Sequence, residues 1–193
     1  PSAPLVINYD HQPPSVNIEL ELIGQDQIVI NLFSSEKLKQ AKLLYDGKTI
    51  GFNKKTDLVY SAQIPLPDFL KSGQPLLKKM ASFNVVAVDM VDNVAPTESV
   101  SLFIEALYPL DQAIVYNDSI TSVGYASNYV DQILINGSSI VLDKNNAFSK
   151  SVQLDYGKQT VVFDVVTKQG NKLSYYTRLL CIRRFPDISK SAK

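Results

Sequence analysis

The 193 residues include no tryptophan, a single cysteine and a single histidine. One thiol cannot build an internal disulfide framework, so the fold must be held together by burial of apolar side chains. Cys181 lies in the apolar run Leu179-Leu180-Cys181-Ile182, the setting of a buried structural thiol. One histidine and one cysteine cannot supply the nitrogen and sulfur ligands of a zinc site. His11 stands beside Asp10 in Tyr9-Asp10-His11-Gln12-Pro13-Pro14, and neighbours on an extended segment point opposite ways. The pair therefore reads as surface residues and not as the base and orienter of a triad. With no nucleophile, base and orienter set in view, the expectation is a protein that is not an enzyme and carries no cofactor.

Charge of one sign is also lacking. Lysine plus arginine equals aspartate plus glutamate at 19 each, which removes the field that would draw the chain onto nucleic acid or an anionic membrane. Residues 1–106 hold 9 basic and 12 acidic side chains and the remainder 10 and 7, a difference of the size ordinary scatter produces. No run of 18 apolar residues is present, so no membrane insertion is expected. The start, Pro1-Ser2-Ala3-Pro4, is unlike a signal peptide and reads as a cut from a longer polypeptide. Apolar content of 45% beside 20% charged is that of a globular chain.

What is present is alternation. Val16, Ile18, Leu20 and Leu22 share one face of residues 16–22, with Asn17, Glu19 and Glu21 on the other, the pattern of a half-buried strand. Gln27 to Phe33, Ala41 to Tyr45, Thr49 to Phe52, Leu58 to Ile64, Met80 to Asp89 and Ser99 to Leu107 complete seven strands. An insertion from Pro65 to Leu77 holds one helical turn, with Asp68 as its cap and Gly73 closing it. After the stiff linker Leu107-Tyr108-Pro109-Leu110-Asp111, seven more strands follow: Ala113 to Tyr116, Ser119 to Ala126, Val130 to Ile135, Ser138 to Leu142, Phe148 to Leu154, Gln159 to Thr167 and Lys172 to Arg184. Asp46-Gly47 and Asn136-Gly137 are hairpin turns of the kind that follows strand twist. The expected fold is all-β: two tandem immunoglobulin-like antiparallel β-sandwiches of about seven strands each, over residues 1–106 and 107–184, with a tail at 185–193.

The second half carries a recognisable set of motifs. Val123-Gly124-Tyr125-Ala126, Ile135-Asn136-Gly137, Leu142-Asp143, Phe148-Ser149, Leu154, Gly157, Val161, Phe163, Val165 and Gly170-Asn171 resemble the bacterial immunoglobulin-like modules related to glucodextranase domain B. Asn145-Asn146 replace the usual hairpin glycine and Thr167 stands where that family has Asp. The first half is similar more distantly, through Asp46-Gly47-Lys48 and the run Val85 to Ala95. The resemblance implies a spacer or interaction unit of a large exported bacterial protein. The tail residues Phe185-Pro186-Asp187-Ile188-Ser189 resemble the opening of an S-layer homology domain and read equally as a polar tail after the last strand.

Two groups of residues were open to a binding role. Asp89, Asp92 and Glu98 with the Asn93 amide offer oxygens that suit calcium, or else shape the turn by bonding its backbone, which is the expected use. Seven of the 10 tyrosines, Tyr108, Tyr116, Tyr125, Tyr129, Tyr156, Tyr175 and Tyr176, fall in the second half. Exposed tyrosines stack on sugars or bind protein, and adjacent Tyr175 and Tyr176 must face opposite ways on a strand. The reading is a non-catalytic structural spacer and protein interaction segment of a bacterial cell-surface or secreted protein, located outside the cell or in its envelope. Its partners would be neighbouring domains of the same polypeptide and other envelope proteins. The alternative is an accessory glycan-binding segment of a carbohydrate-active enzyme, and an exposed row of tyrosines on one sheet face would favour it.

Overall fold

A computed structural model describes residues 10–45, 47–77 and 81–182. In chain order the strands are β1 (Val16–Ile23), β2 (Gln27–Ser34), β3 (Leu38–Tyr45), β4 (Lys48–Gly51), β5 (Asn53–Lys54), β6 (Val59–Pro65), β7 (Gln74–Pro75), β8 (Ala81–Asp89), β9 (Glu98–Leu102), β10 (Ile104–Tyr108), β11 (Ala113–Val115), β12 (Ser119–Ala126), β13 (Val130–Ile135), β14 (Ser138–Ile140), β15 (Ala147–Gln153), β16 (Gly157–Thr167) and β17 (Lys172–Cys181). The chain is all-β, as its alternation requires, and folds as two immunoglobulin-like sandwiches. Asp46 and the tail with its S-layer motif lie outside the described residues.

The first compact unit comprises Pro1–Glu21, Ile28–Ile64 and Ser82–Val100. Its sheets run β1-β2-β6-β5 and β4-β3-β8-β9. Ile28, Ile30 and Leu32 alternate inward on β2 and Phe83, Val85 and Ala87 on β8, each at most 1% exposed, so the period-2 pattern becomes the core between the sheets. Full burial of such a side chain contributes about 1.5–3 kcal/mol. The Tyr45 and Phe83 rings meet edge to face, 4.6 Å between centroids. Gly47 at φ 70° opens the β3–β4 hairpin.

The second unit comprises Leu22–Gln27, Pro65–Ala81 and Ser101–Lys193. One sheet is β10-β12-β15; the other runs β11-β17-β16-β13-β14, with β7 also on β17. Val161, Phe163, Val165, Leu173 and Ile133 are fully buried, and Phe163 meets Phe148 of the opposite sheet with centroids 6.4 Å apart. Gly124 on β12 has no room for a side chain: a Cβ there would lie 2.1 Å from the Glu105 carbonyl oxygen and 2.5 Å from the Phe148 ring. Asn136 (φ 49°) and Gly137 (φ 75°) both adopt the left-handed conformation and turn β13 into β14, as their sequence leads one to expect.

Three features depart from the sequence reading. The single strand expected over Ser99 to Leu107 is two, because Phe103 takes a left-handed φ of 54° and turns the chain from β9 to β10. Phe103 is buried and its carbonyl accepts the Ser127 N–H at 2.6 Å, so packing and a hydrogen bond hold a conformation its type disfavours. The insertion expected at the end of the first sandwich instead packs in the second unit, where Leu66, Leu70 and Leu76 are buried and β7 runs parallel to β17. Its helical turn is a 3-10 turn at Asp68–Leu70 that begins after Pro67 without a side-chain cap, because Asp68 pairs with Lys71 at 2.7 Å instead.

Candidate functional site

The end of β8 gathers acid groups from distant parts of the first unit. Asp89 is fully buried and its side chain bonds the turn that follows: Oδ1 accepts the N–H groups of Val91 (2.8 Å) and Asn93 (2.9 Å), and Oδ2 accepts the Asn93 amide (2.8 Å). The Asn93 amide also donates to the carbonyls of Asp10 and Gln12, both at 3.2 Å, which fastens the N-terminal segment to the turn. One carboxylate oxygen each from Asp10, Glu36 and Asp89 lie within 4.8 Å of one another. Burial drives the Asp89 carboxyl upward, but hydrogen bonds from the Asn93 side chain and from the backbone outweigh it and hold the group below its ordinary value. For Glu36, burial followed by repulsion from Asp10 and Asp89 raises the carboxyl above its ordinary value.

The calcium set weighed in the sequence is thus regrouped. Asp89 and Asn93 stay together, but Asp92 turns out to Lys39 at 2.6 Å and Glu98 is exposed on β9. Asp10 and Glu36 take their place, from positions too remote in sequence for any spacing to reveal. Calcium takes six to eight oxygens, whereas this cluster offers three carboxylates, one of them already bound by three N–H groups. The arrangement serves the turn. His11, next to Asp10, is exposed, and Cys181 is buried with its thiol donating to the Asn117 carbonyl at 3.3 Å.

Other acids in the second unit are used in the same way. Asp143 Oδ1 accepts the Asn145 and Ala147 N–H groups, both at 2.8 Å, and shapes the loop entering β15. Asp111 Oδ1 accepts the Arg178 N–H at 2.8 Å, where β11 has not yet begun to pair with β17, and the Arg178 guanidinium grips the same carboxylate. That guanidinium lies 5.4 Å from the centre of the Tyr176 ring. The hydrogen bond from Arg178 is the chief cause holding the Asp111 carboxyl below its ordinary value.

The tyrosines divide by environment. Tyr175 is buried, its phenol donating to the Leu70 carbonyl at 2.7 Å, and burial pushes its ionisation up; Tyr176 faces the other way and is half-buried. Tyr108 (41% exposed), Tyr116 (50%) and Tyr125 (39%) open to solvent. Tyr125 pairs with Glu105 across β10–β12, and Tyr108 with Val123, so by register Tyr108, Val123 and Tyr125 share the outer face of that sheet with Thr121 and Ser119. At the other end of this face is a cleft of about 510 Å³ lined by Tyr108, Tyr116, Asn117, Ser119 and Thr121, with Ile114 among its apolar contacts. The sequence flagged the tyrosines but not Asn117, Ser119 and Thr121, whose types carry no signal until strands bring them together.

No family model matches this chain, and no curated protein does. Among solved structures it is similar to the fibronectin(III)-like modules of CbhA from Clostridium thermocellum, at 13% identity over 88% of this chain and 95% of that one, with a TM-score of 0.34. It is similar to the Ig1-2 module of the Drosophila receptor protein tyrosine phosphatase DLAR at 10% identity over 89% and 100%, TM-score 0.34. A third is SGBP-B of the Bacteroides ovatus mixed-linkage glucan utilization locus, in complex with a mixed-linkage heptasaccharide, at 13% identity over 85% of this chain and 45% of that one, TM-score 0.29. Identities and scores this low leave function to be argued from the residues themselves. Among the described residues no helix is long and apolar enough to cross a membrane.

Proposed function

We propose that this chain is a non-catalytic structural spacer and protein interaction segment of an exported bacterial protein, acting outside the cell or in its envelope. In this reading the two modules expected over residues 1–106 and 107–184 are the two compact units, the second taking in residues 65–81 and 101–106 as its own, and residues 185–193 lead into an envelope-anchoring domain. The observation that carries it is what three aspartates do, the buried Asp89, the half-buried Asp111 and the exposed Asp143. Asp89, Asp111 and Asp143 each bind two or more groups of a turn or strand edge, so these three carboxylates hold loops and strand edges of the packed sheets in place. Its partners are neighbouring domains of the same polypeptide and envelope proteins.

Force spectroscopy on the chain held by its two ends tests the mechanical part. Discrete unfolding events whose contour lengths match folded β-modules are expected, together with no turnover on a panel of glycoside and ester substrates. Gradual extension without events, or turnover that is lost on replacing Glu36, would count against it. A second reading, an accessory glycan-binding segment of a carbohydrate-active enzyme, is favoured by one observation: Tyr108 and Tyr125 lie exposed on one sheet face that ends at Tyr116.

A further inference from the structure

We infer that the cleft between Tyr108 and Tyr116 binds a short neutral oligosaccharide, which continues over the outer face of β12 toward Tyr125. This rests on the second reading above. The chemistry of the lining selects the ligand. Tyr108 and Tyr116, both partly exposed, line the cleft, and a tyrosine joins an apolar ring to a polar hydroxyl, a combination that suits a sugar. Asn117, Ser119 and Thr121 add an amide and two hydroxyls, groups that both donate and accept and so match sugar hydroxyls. Among the described residues no charged side chain lines the cleft, which matches a neutral ligand. At about 510 Å³ it falls within the range of small-molecule sites, roughly 300–1,000 Å³, and has room for a few sugar rings.

The site is also held in place before any ligand arrives. Tyr108 is registered against Val123 on β10–β12, and β11 is laddered to β17 from Ala113 to Val115. The Val115 carbonyl accepts the Ile182 N–H at 2.9 Å, the Asn117 carbonyl accepts the Cys181 thiol, and the Asp118 carbonyl accepts the Leu154 N–H at 2.7 Å. The end of β11 and the loop that follows it are thus pinned at three carbonyls, which lowers the ordering cost of binding. From Ser119 to Tyr125 the strand rises roughly 20 Å, enough for an extended chain of several sugars along its outer face. A proline-rich peptide also favours aromatic grooves, but it seeks apolar slots between rings, whereas this lining is rich in hydroxyl and amide groups.

The test uses the whole chain with cello-, malto-, xylo-, manno- and chito-oligosaccharides of three to six units, oligogalacturonate as an anionic comparator and a proline-rich peptide, followed by calorimetry and ligand-observed NMR. Saturable binding of at least one neutral series is expected, unchanged between low and high salt. Tyr108→Ala and Tyr116→Ala should each weaken it roughly tenfold, the loss of one stacking platform, while Tyr108→Phe keeps most of it. Tyr156→Ala, at an exposed tyrosine outside the cleft, should leave it unchanged. Urea unfolding of each variant separates lost binding from lost folding. Absence of binding by every neutral series, binding unaffected by the Tyr108 and Tyr116 changes in folded variants, or preference for oligogalacturonate or the peptide would overturn the inference. Each of those outcomes leaves the spacer function standing and removes only the glycan reading.

Discussion

Asn136 and Val162 are joined by two hydrogen bonds of opposite sense: the Asn136 N–H donates to the Val162 carbonyl at 2.9 Å, and the Asn136 side-chain oxygen accepts the Val162 N–H at 2.8 Å. The side chain thereby stands in for the carbonyl that the turning backbone can no longer present to β16. Asn136→Gly keeps the left-handed backbone free of strain but removes this acceptor, and should cost about 0.5–1 kcal/mol. At Gly137 a Cβ would meet nothing within 4 Å, so the cost of Gly137→Ala is purely that of its φ of 75°, about 1 kcal/mol. Urea unfolding measures both, and an unchanged midpoint for Gly137→Ala would contradict the turn geometry.

Gly124 is the opposite case, a glycine required by crowding. Gly124→Ala must push the Glu105 carbonyl and the Phe148 ring apart, and a loss of about 3 kcal/mol is expected. A thermal shift of only a degree or two would show that β10 and β12 tolerate separation.

The Thr177 hydroxyl is buried without a hydrogen-bond partner among the described residues, in a side chain 1% exposed. Thr177→Val keeps the shape and removes the stranded polar atom, so stability should rise by about 1 kcal/mol. A fall instead would point to a water bound at that hydroxyl.

Glu36 and Asp89 tie the first unit to pH in opposite senses. Glu36 is raised above 4.5, so between that value and its folded value the native chain keeps a proton the unfolded chain has released. Unfolding free energy from this group therefore falls as pH rises through that window. Asp89 is lowered, and its contribution, present above 3.8, is lost as pH falls through its folded value. Glu36→Gln should raise the melting temperature near pH 7 and flatten its dependence on pH above 4.5, whereas Asp89→Asn should lower it. Melting curves from pH 3 to 8 distinguish the two; a Glu36→Gln protein less stable than its parent at pH 7 would refute the repulsion.

Residues 101–193 expressed alone should be much less stable than the whole chain, since they lack Leu66, Leu70 and Leu76 and the carbonyl that receives the Tyr175 phenol. Adding residues 65–81 as a separate peptide should restore part of the loss. A fragment with the full melting temperature would show that the inserted segment adds nothing to the second core.

The strands of both sandwiches were legible because half-buried strands write a period of two, as in Ile28, Ile30 and Leu32. Asn136-Gly137 was legible because a left-handed pair selects those residue types. Phe103 was not: its left-handed backbone is imposed by burial and by Ser127, and Leu102-Phe103-Ile104 reads as an unbroken strand. Nor was β7, since two residues ending in proline have no period, and their place on β17 depends on pairing across 101 positions. The acid cluster was half legible, because Asp89 and Asn93 are neighbours in sequence while Asp10 and Glu36 reach them only through the fold.

The outer edge of β17 is shared by two short parallel strands: Gln74–Pro75 lies against Tyr175 and Tyr176, and Ala113–Val115 against Leu179 to Cys181. Between them, Gln112 donates to the Arg178 carbonyl at 2.7 Å and Asp111 takes the Arg178 N–H, so the gap is closed as well. A ten-residue strand left bare along one side would be a template for pairing with another molecule. Here that row of donors and acceptors is consumed within one chain, and Pro75 brings no N–H of its own to the covering strand. Copies of the chain at high concentration therefore lack, along this edge, the free row of groups through which cross-β aggregates zip together.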